Sequence, residues 1–121
     1  MTKLQNLNLS SFDTSHVRSM ESMFELSFMD PINGVIDLSS FSSSSLTQVS
    51  RMFYDSKVKT IYVPSGFSLT VADNLFSSNV FFNNTYLVGG NGTAYSTTNQ
   101  TGKTYGRIDA PGTPGYFTKK P

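Results

Sequence analysis

The sequence predicts an α/β solenoid: a short stack of strand-and-turn coils closed by a β-rich C-terminal cap. Three observations predict it. The strand pattern Leu4-x-x-Leu7-x-Leu9 returns as Asn33-x-x-Ile36-x-Leu38 and again as Val58-x-x-Ile61-x-Val63, at offsets of 29 and then 25 residues. Ser-Ser-Phe follows the first two strands, as Ser10-Ser11-Phe12 and Ser39-Ser40-Phe41, and a looser Pro64-Ser65-Gly66-Phe67 follows the third. A Met-Phe pair recurs as Met23-Phe24 and Met52-Phe53, each Phe lying fifteen residues beyond the last strand apolar residue.

Each coil opens with alternating apolar and polar residues, the period of a half-buried strand. It continues with apolar residues three or four apart, Val17, Met20 and Met23-Phe24 in the first copy, which predicts a short helix or turn. Asp13-Thr14-Ser15 stands just ahead of that face, where a side-chain oxygen caps free amides. Ser42 to Ser45 hold the matching place in the second coil, and Asn33-Gly34 marks a tight turn before the second strand. In the third coil two pairs compete for the Met-Phe position, Leu75-Phe76 and Val80-Phe81. Val80-Phe81 is preferred, because the return from Phe81 to Leu87 matches that from Phe53 to Val58. This choice puts an insertion between Phe67 and Asn79, and the longer first period puts another around Phe28-Met29-Asp30-Pro31.

One coil cannot bury its own apolar stripe, so neighbours must share it. Three columns result: Leu9, Leu38 and Val63; Phe12, Phe41 and Phe67; Phe24, Phe53 and Phe81. Each large aromatic so buried contributes about 1.5–3 kcal/mol. Residues 1–88 hold about three repeats, and Leu87-Val88-Gly89-Gly90 opens a partial fourth. Residues 89–121 read as the cap. Glycine and proline separate short β-like pieces there, and Tyr95, Tyr105, Ile108, Tyr116 and Phe117 are placed to cover the open strand edge.

Composition narrows the function classes. The chain has 121 residues, 37% apolar and 14% charged, with Ser, Thr, Asn and Gly supplying the remaining polarity. A net charge of +1 with no basic cluster beyond Lys119-Lys120 argues against nucleic acid, which needs several phosphate contacts on one face. There is no Cys, hence no disulfide, thiolate metal site or cysteine nucleophile. The longest apolar run, Val80-Phe81-Phe82, is far too short for a membrane span. Met1-Thr2-Lys3 leads straight into the first repeat without a signal-peptide core, and the expectation is a fragment of a longer chain.

Leu7-Asn8-Leu9-Ser10-Ser11-Phe12-Asp13-Thr14-Ser15-His16-Val17, leading to Met20-Glu21-Ser22-Met23-Phe24, resembles the BspA-like leucine-rich repeat of bacterial surface proteins. Ser27 and Ser56 stand where those repeats carry a small residue. The ending is similar too: Leu87-Val88-Gly89-Gly90-Asn91-Gly92-Thr93-Ala94-Tyr95, then Thr104-Tyr105-Gly106-Arg107-Ile108-Asp109, then Pro114-Gly115-Tyr116-Phe117-Thr118. The resemblance implies a short leucine-rich-repeat stack. It also implies a secreted or cell-surface protein that binds host or neighbouring-cell molecules, with no catalytic residues to carry over.

Chemistry-bearing motifs are sparse. Thr97 to Thr104 reads T-x-x-x-x-G-K-T, a phosphate-binding loop without its first glycine, flanking strand or helix, and is better read as a polar loop. His16, the sole histidine, lies near Asp13 with no serine singled out as a nucleophile. Asp13, Asp37, Asp55, Asp73 and Asp109 share no short spacing, so neither a carboxylate pair nor a calcium loop is indicated. The N-x-[ST] triplets at Asn8, Asn83, Asn91 and Asn99 fit chance in so Asn- and Ser-rich a chain. No enzyme activity, cofactor or metal is expected. The strand surface remains: Asn8, Asp37 and Tyr62 take the same outward position on successive strands and form the candidate partner-binding row. A protein partner is the first expectation, with a spacer role in a larger surface protein and a glycan ligand as alternatives. A homodimer through the uncapped first repeat is a further one.

Overall fold

A computed structural model describes residues 6–9, 13–25, 34–72 and 77–121. Alternation along each apolar repeat produces three short strands: β1 (Asn6–Asn8), β2 (Val35–Asp37) and β3 (Thr60–Val63). A fourth, β4, spans Phe117–Lys119. All neighbours are parallel and the order is β1-β2-β3-β4. Leu7 pairs with Ile36 and Ile36 with Ile61, so the sheet register follows the sequence offsets. Ile36, Ile61 and Val63 point inward and are fully buried, while Val35, Asp37, Thr60 and Tyr62 lie on the outer face and are half-buried.

The second half of each repeat is a turn, and the described residues contain no α-helix. The backbone angles give the reason. Ser22, Arg51 and Asn79, each two residues before the coil's aromatic, have φ of 57°, 58° and 52°. Asp55 and Asn83, two residues after it, have φ of 51° and 61°. Left-handed residues at this interval break a right-handed helix and turn alternate peptide groups along the stack. The freed groups bond between coils: Met20, Ser22 and Phe24 amides donate to Gln48, Ser50 and Met52 carbonyls at 2.9, 3.0 and 2.8 Å. Arg51, Phe53 and Asp55 amides then donate to Ser78, Val80 and Phe82 carbonyls at 2.9, 2.9 and 2.7 Å.

This second ladder fixes the aromatic column. Phe24 and Phe53 stack at 5.4 Å and Phe53 and Phe81 at 5.5 Å, with interplanar angles of 11° and 2°. Val80-Phe81 therefore holds the third position. Its competitor Leu75-Phe76 lies outside the described residues, as do Ser10-Ser11-Phe12, Ser27, Asp73 and the segment around Phe28-Met29-Asp30-Pro31. Phe41 and Phe67 are buried, as are Leu38 and Val63. A 3₁₀ turn at Leu69–Val71 falls inside the expected insertion after Phe67. The corner caps repeat as well. Asp13 Oδ1 accepts from the Ser15 amide at 3.0 Å, Ser42 Oγ from Ser44 at 3.1 Å, and Ser68 Oγ from Thr70 at 3.2 Å.

Residues 89–121 carry little regular strand. Only β4 is a regular strand there, accompanied by isolated bridges at Val88–Ala94, Ile108–Phe117 and Ala110–Thr113. The partial fourth coil starts as its sequence suggests, with Leu87 buried and the Val88 amide donating to Lys59 O at 3.0 Å. The chain then leaves the sheet at Gly89, and β4, arriving from much later in the sequence, takes the place beside β3. Close approach explains the departure. A Cβ on Gly89 would sit 2.2 Å from Gly115 O, and one on Gly115 would sit 2.1 Å from Arg107 O. Asp109 holds the crossing together, accepting from the amides of Asn91, Thr93 and Gly115 at 2.8, 2.9 and 3.2 Å and from Thr93 Oγ1 at 2.7 Å. Tyr116 and Phe117 are fully buried, with Tyr116 edge-on to Phe81 at 5.0 Å and Tyr105 and Tyr95 packed outside it.

Candidate functional site

Parallel pairing sets Asn8 beside Asp37 and Asp37 beside Tyr62, so the three candidate residues occupy neighbouring register positions on one sheet. Adjacent strands lie about 4.8 Å apart, which makes the row continuous. The pairing of Tyr62 with Thr118 lengthens it by a residue that the repeat pattern does not reveal, because β4 carries no copy of the strand motif.

Lys120 is the other residue without a repeat signal. Its backbone amide donates to Val63 O at 2.9 Å, which continues β4 alongside β3. Its ammonium donates to Asp37 Oδ2 at 2.9 Å and lies 4.8 Å from the centre of the Tyr62 ring. Asp37 Oδ1 meanwhile accepts from the Ser39 amide at 2.9 Å, closing the turn after β2. Burial pushes the Asp37 carboxyl up, but the hydrogen bonds from Ser39 and Lys120 outweigh it and hold the group below its ordinary value. The row is thus a clasped acid, cation and phenol, with every charge paired. It can bind through hydrogen bonds and ring contact.

A second aromatic surface lies on the turn ladder. Tyr54 and Phe82 stack at 5.0 Å and are half-buried, and the Arg51 guanidinium covers Tyr54 at 3.9 Å. Arg51 also makes a two-pronged pair with Glu25 in the preceding coil, at 2.7 and 3.1 Å. That hydrogen-bonded pair lowers the Glu25 carboxyl from its ordinary value. The sequence signal was the aromatic immediately after Phe53 and Phe81, which the Met-Phe column overshadowed.

The remaining motifs sit apart from both surfaces. Lys103 of the T-x-x-x-x-G-K-T segment donates its ammonium to Ala72 O, and Thr97–Asn99 forms a 3₁₀ turn. His16 is exposed on the turn after Asp13. Among the described residues no three His, Asp or Glu side chains cluster to hold a metal. Among the same residues no helix is long and apolar enough to cross a membrane.

A family model described as "Mycoplasma protein of unknown function, DUF285" matches residues 1–84, which covers all three repeats. The chain belongs to the DUF285 family. No curated protein and no solved structure matches it. The DUF285 match ends at Asn84, the residue that closes the third turn. Within it Asn84 takes the place of Ser56 one coil earlier, three residues after the column aromatic. It is fully buried, and its side chain ties the two coils together: Oδ1 accepts from Ser56 Oγ at 2.7 Å and the Lys57 amide at 3.1 Å. Its Nδ2 donates to Phe53 O and, at 3.0 Å, to Phe81 O.

Proposed function

We propose that this DUF285 chain is a non-enzymatic recognition or adhesion module of a bacterial cell surface, built as a BspA-like leucine-rich-repeat solenoid. It binds a protein partner through the strand row Asn8, Asp37 and Tyr62, prolonged by Thr118. The observation that carries the reading is the register, which puts these positions side by side across four parallel strands. Repeat proteins present such arrays to partners, and a half-exposed tyrosine at the centre of a row is a frequent hot spot. The absence of any sequence motif for catalysis agrees with a binding role.

The test is adhesion of the labelled chain to intact host or neighbouring cells. Replacing Asn8, Asp37 and Tyr62 together by Ala should lower retention at least tenfold, as loss of a tyrosine hot spot of about 2 kcal/mol requires. Circular dichroism of the variant must show an unchanged fold. Protease treatment of the cells should abolish binding. Loss on periodate treatment instead would favour a glycan ligand, for which the Tyr54–Phe82 stack is the better platform. No adhesion of the parent chain to any cell would favour the spacer role.

A further inference from the structure

Among the described residues the first coil is outermost, on a face that the second coil also has, and there it is seen occupied. In the second coil Leu46, Val49 and Met52 are 2%, 0% and 0% exposed, because the first coil lies over them. Their equivalents one coil earlier are Val17, Met20 and Met23. Met20 is already buried at 3% exposed, whereas Val17 is half-buried and Met23 is 38% exposed, so the uncovered part of the face lies at its two flanks. These three line a groove together with Asp13, Thr14, Ser19 and Glu21.

Backbone polarity along this face is also repeated. The carbonyls of Gln48, Ser50 and Met52 face the first coil and accept from Met20, Ser22 and Phe24. One contact runs the other way, with the amides of Thr47 and Gln48 donating to Arg18 O at 2.7 and 3.1 Å. The equivalent groups of the first coil are the carbonyls of Ser19, Glu21 and Met23 and the amides of Arg18 and Ser19. None of these has a hydrogen-bond partner among the described residues. The opposite end of the ladder has the complementary need. Its outgoing amides, Phe81 and Asn83, are met by Gln100 O at 2.9 Å and Tyr95 Oη at 3.0 Å.

We infer that the groove over Val17, Met20 and Met23 is a docking face for one more coil of the same repeat, running in the same direction and placed ahead of β1. Such a coil supplies what the face lacks: one carbonyl for the Arg18 and Ser19 amides, then three alternate amides for the Ser19, Glu21 and Met23 carbonyls. It also supplies an apolar underside. A two-fold-related copy of the chain does not fit, because it would set the same row of carbonyls against itself. A head-to-tail copy does not fit either, because Gln100 and Tyr95 already fill the donor end.

The test inserts a copy of residues 35–59 between Gln5 and Asn6 of the full chain. The extended chain should unfold in one transition with Tm raised by roughly 5 °C or more, as an added nearest-neighbour interface requires. An insert of equal length made of Gly and Ser should give no rise. Met23→Asp should leave the parent's Tm within about 2 °C, since the side chain is partly in water, yet cancel the gain in the extended chain. An unchanged or lowered Tm on insertion, or a separate second transition, would overturn the inference. Independently of the insert, light scattering should show the parent as a monomer at high concentration. A parent dimer abolished by Met23→Asp would overturn it in favour of self-association.

Discussion

Asn84→Ala should be a severe truncation of a polar side chain. The side chain is fully buried, and its amide holds partners in two coils: Ser56 Oγ, the Lys57 amide, Phe53 O and Phe81 O. Truncation removes all of these bonds and leaves the Lys57 amide and the Phe81 carbonyl without a partner in the space just vacated. A typical internal hydrogen bond contributes about 1 kcal/mol net, while a buried group left unsatisfied costs about 1–3 kcal/mol. The expected loss is therefore about 3–5 kcal/mol, a large share of the 5–15 kcal/mol typical of a domain. Urea unfolding followed by tyrosine fluorescence reads it as a fall in midpoint at unchanged slope. Ser56→Ala, which removes one of these contacts, is the control and should cost about 1 kcal/mol. A loss below about 1 kcal/mol for Asn84→Ala would refute the view that this amide ties the coils together.

Phe53→Ala removes the middle ring of the aromatic column and should cost about 3–5 kcal/mol, read as an equivalent fall in Tm or outright loss of folding. Ser22→Gly relieves a left-handed serine with φ of 57° and should stabilise by about 0.5–1 kcal/mol in the same urea assay. Asp109 makes acid stability informative. Burial pushes its carboxyl up, but the hydrogen bonds led by Thr93 outweigh that and its folded-state value lies below the ordinary 3.8. A depressed carboxylate contributes stability that is fully present above the unfolded value and disappears as pH falls through the folded one. Stability should thus drop below about pH 4, and Asp109→Asn should flatten that acid limb while lowering stability at pH 7.

The strands were legible because period-two alternation and a repeated offset act over short distances. Leu7, Ile36 and Ile61 align in sequence and pair in space. The same holds for Phe24, Phe53 and Phe81, once the return length to Leu87 separates Phe81 from Phe76. The sequence left each second half open between a short helix and a turn. Spacings of three and four suit a helix and a left-handed turn equally, and Ser22 and Arg51 are not residues that announce positive φ. The Asn8, Asp37 and Tyr62 row followed from strand alternation alone. Thr118 and Lys120 could not join it, since β4 reaches β3 through irregular loops set by Asp109 and glycine clearances rather than by any periodic pattern. Asn84 escaped notice for a related reason: an asparagine standing where two serines precede it suggests a side chain in water until its bonds are seen.

The clearances at Gly89 and Gly115 bear on how such a protein can vary. Three backbone segments, at Gly89, Arg107 to Asp109 and Gly115, cross there with room for hydrogen atoms only at the two glycines. Gly89 and Gly115 must therefore stay glycine together, whereas the corner beside Val71, 58% exposed, has room for a longer loop. For anyone recombining repeats of this kind, the seam to cut is therefore just before Gly89.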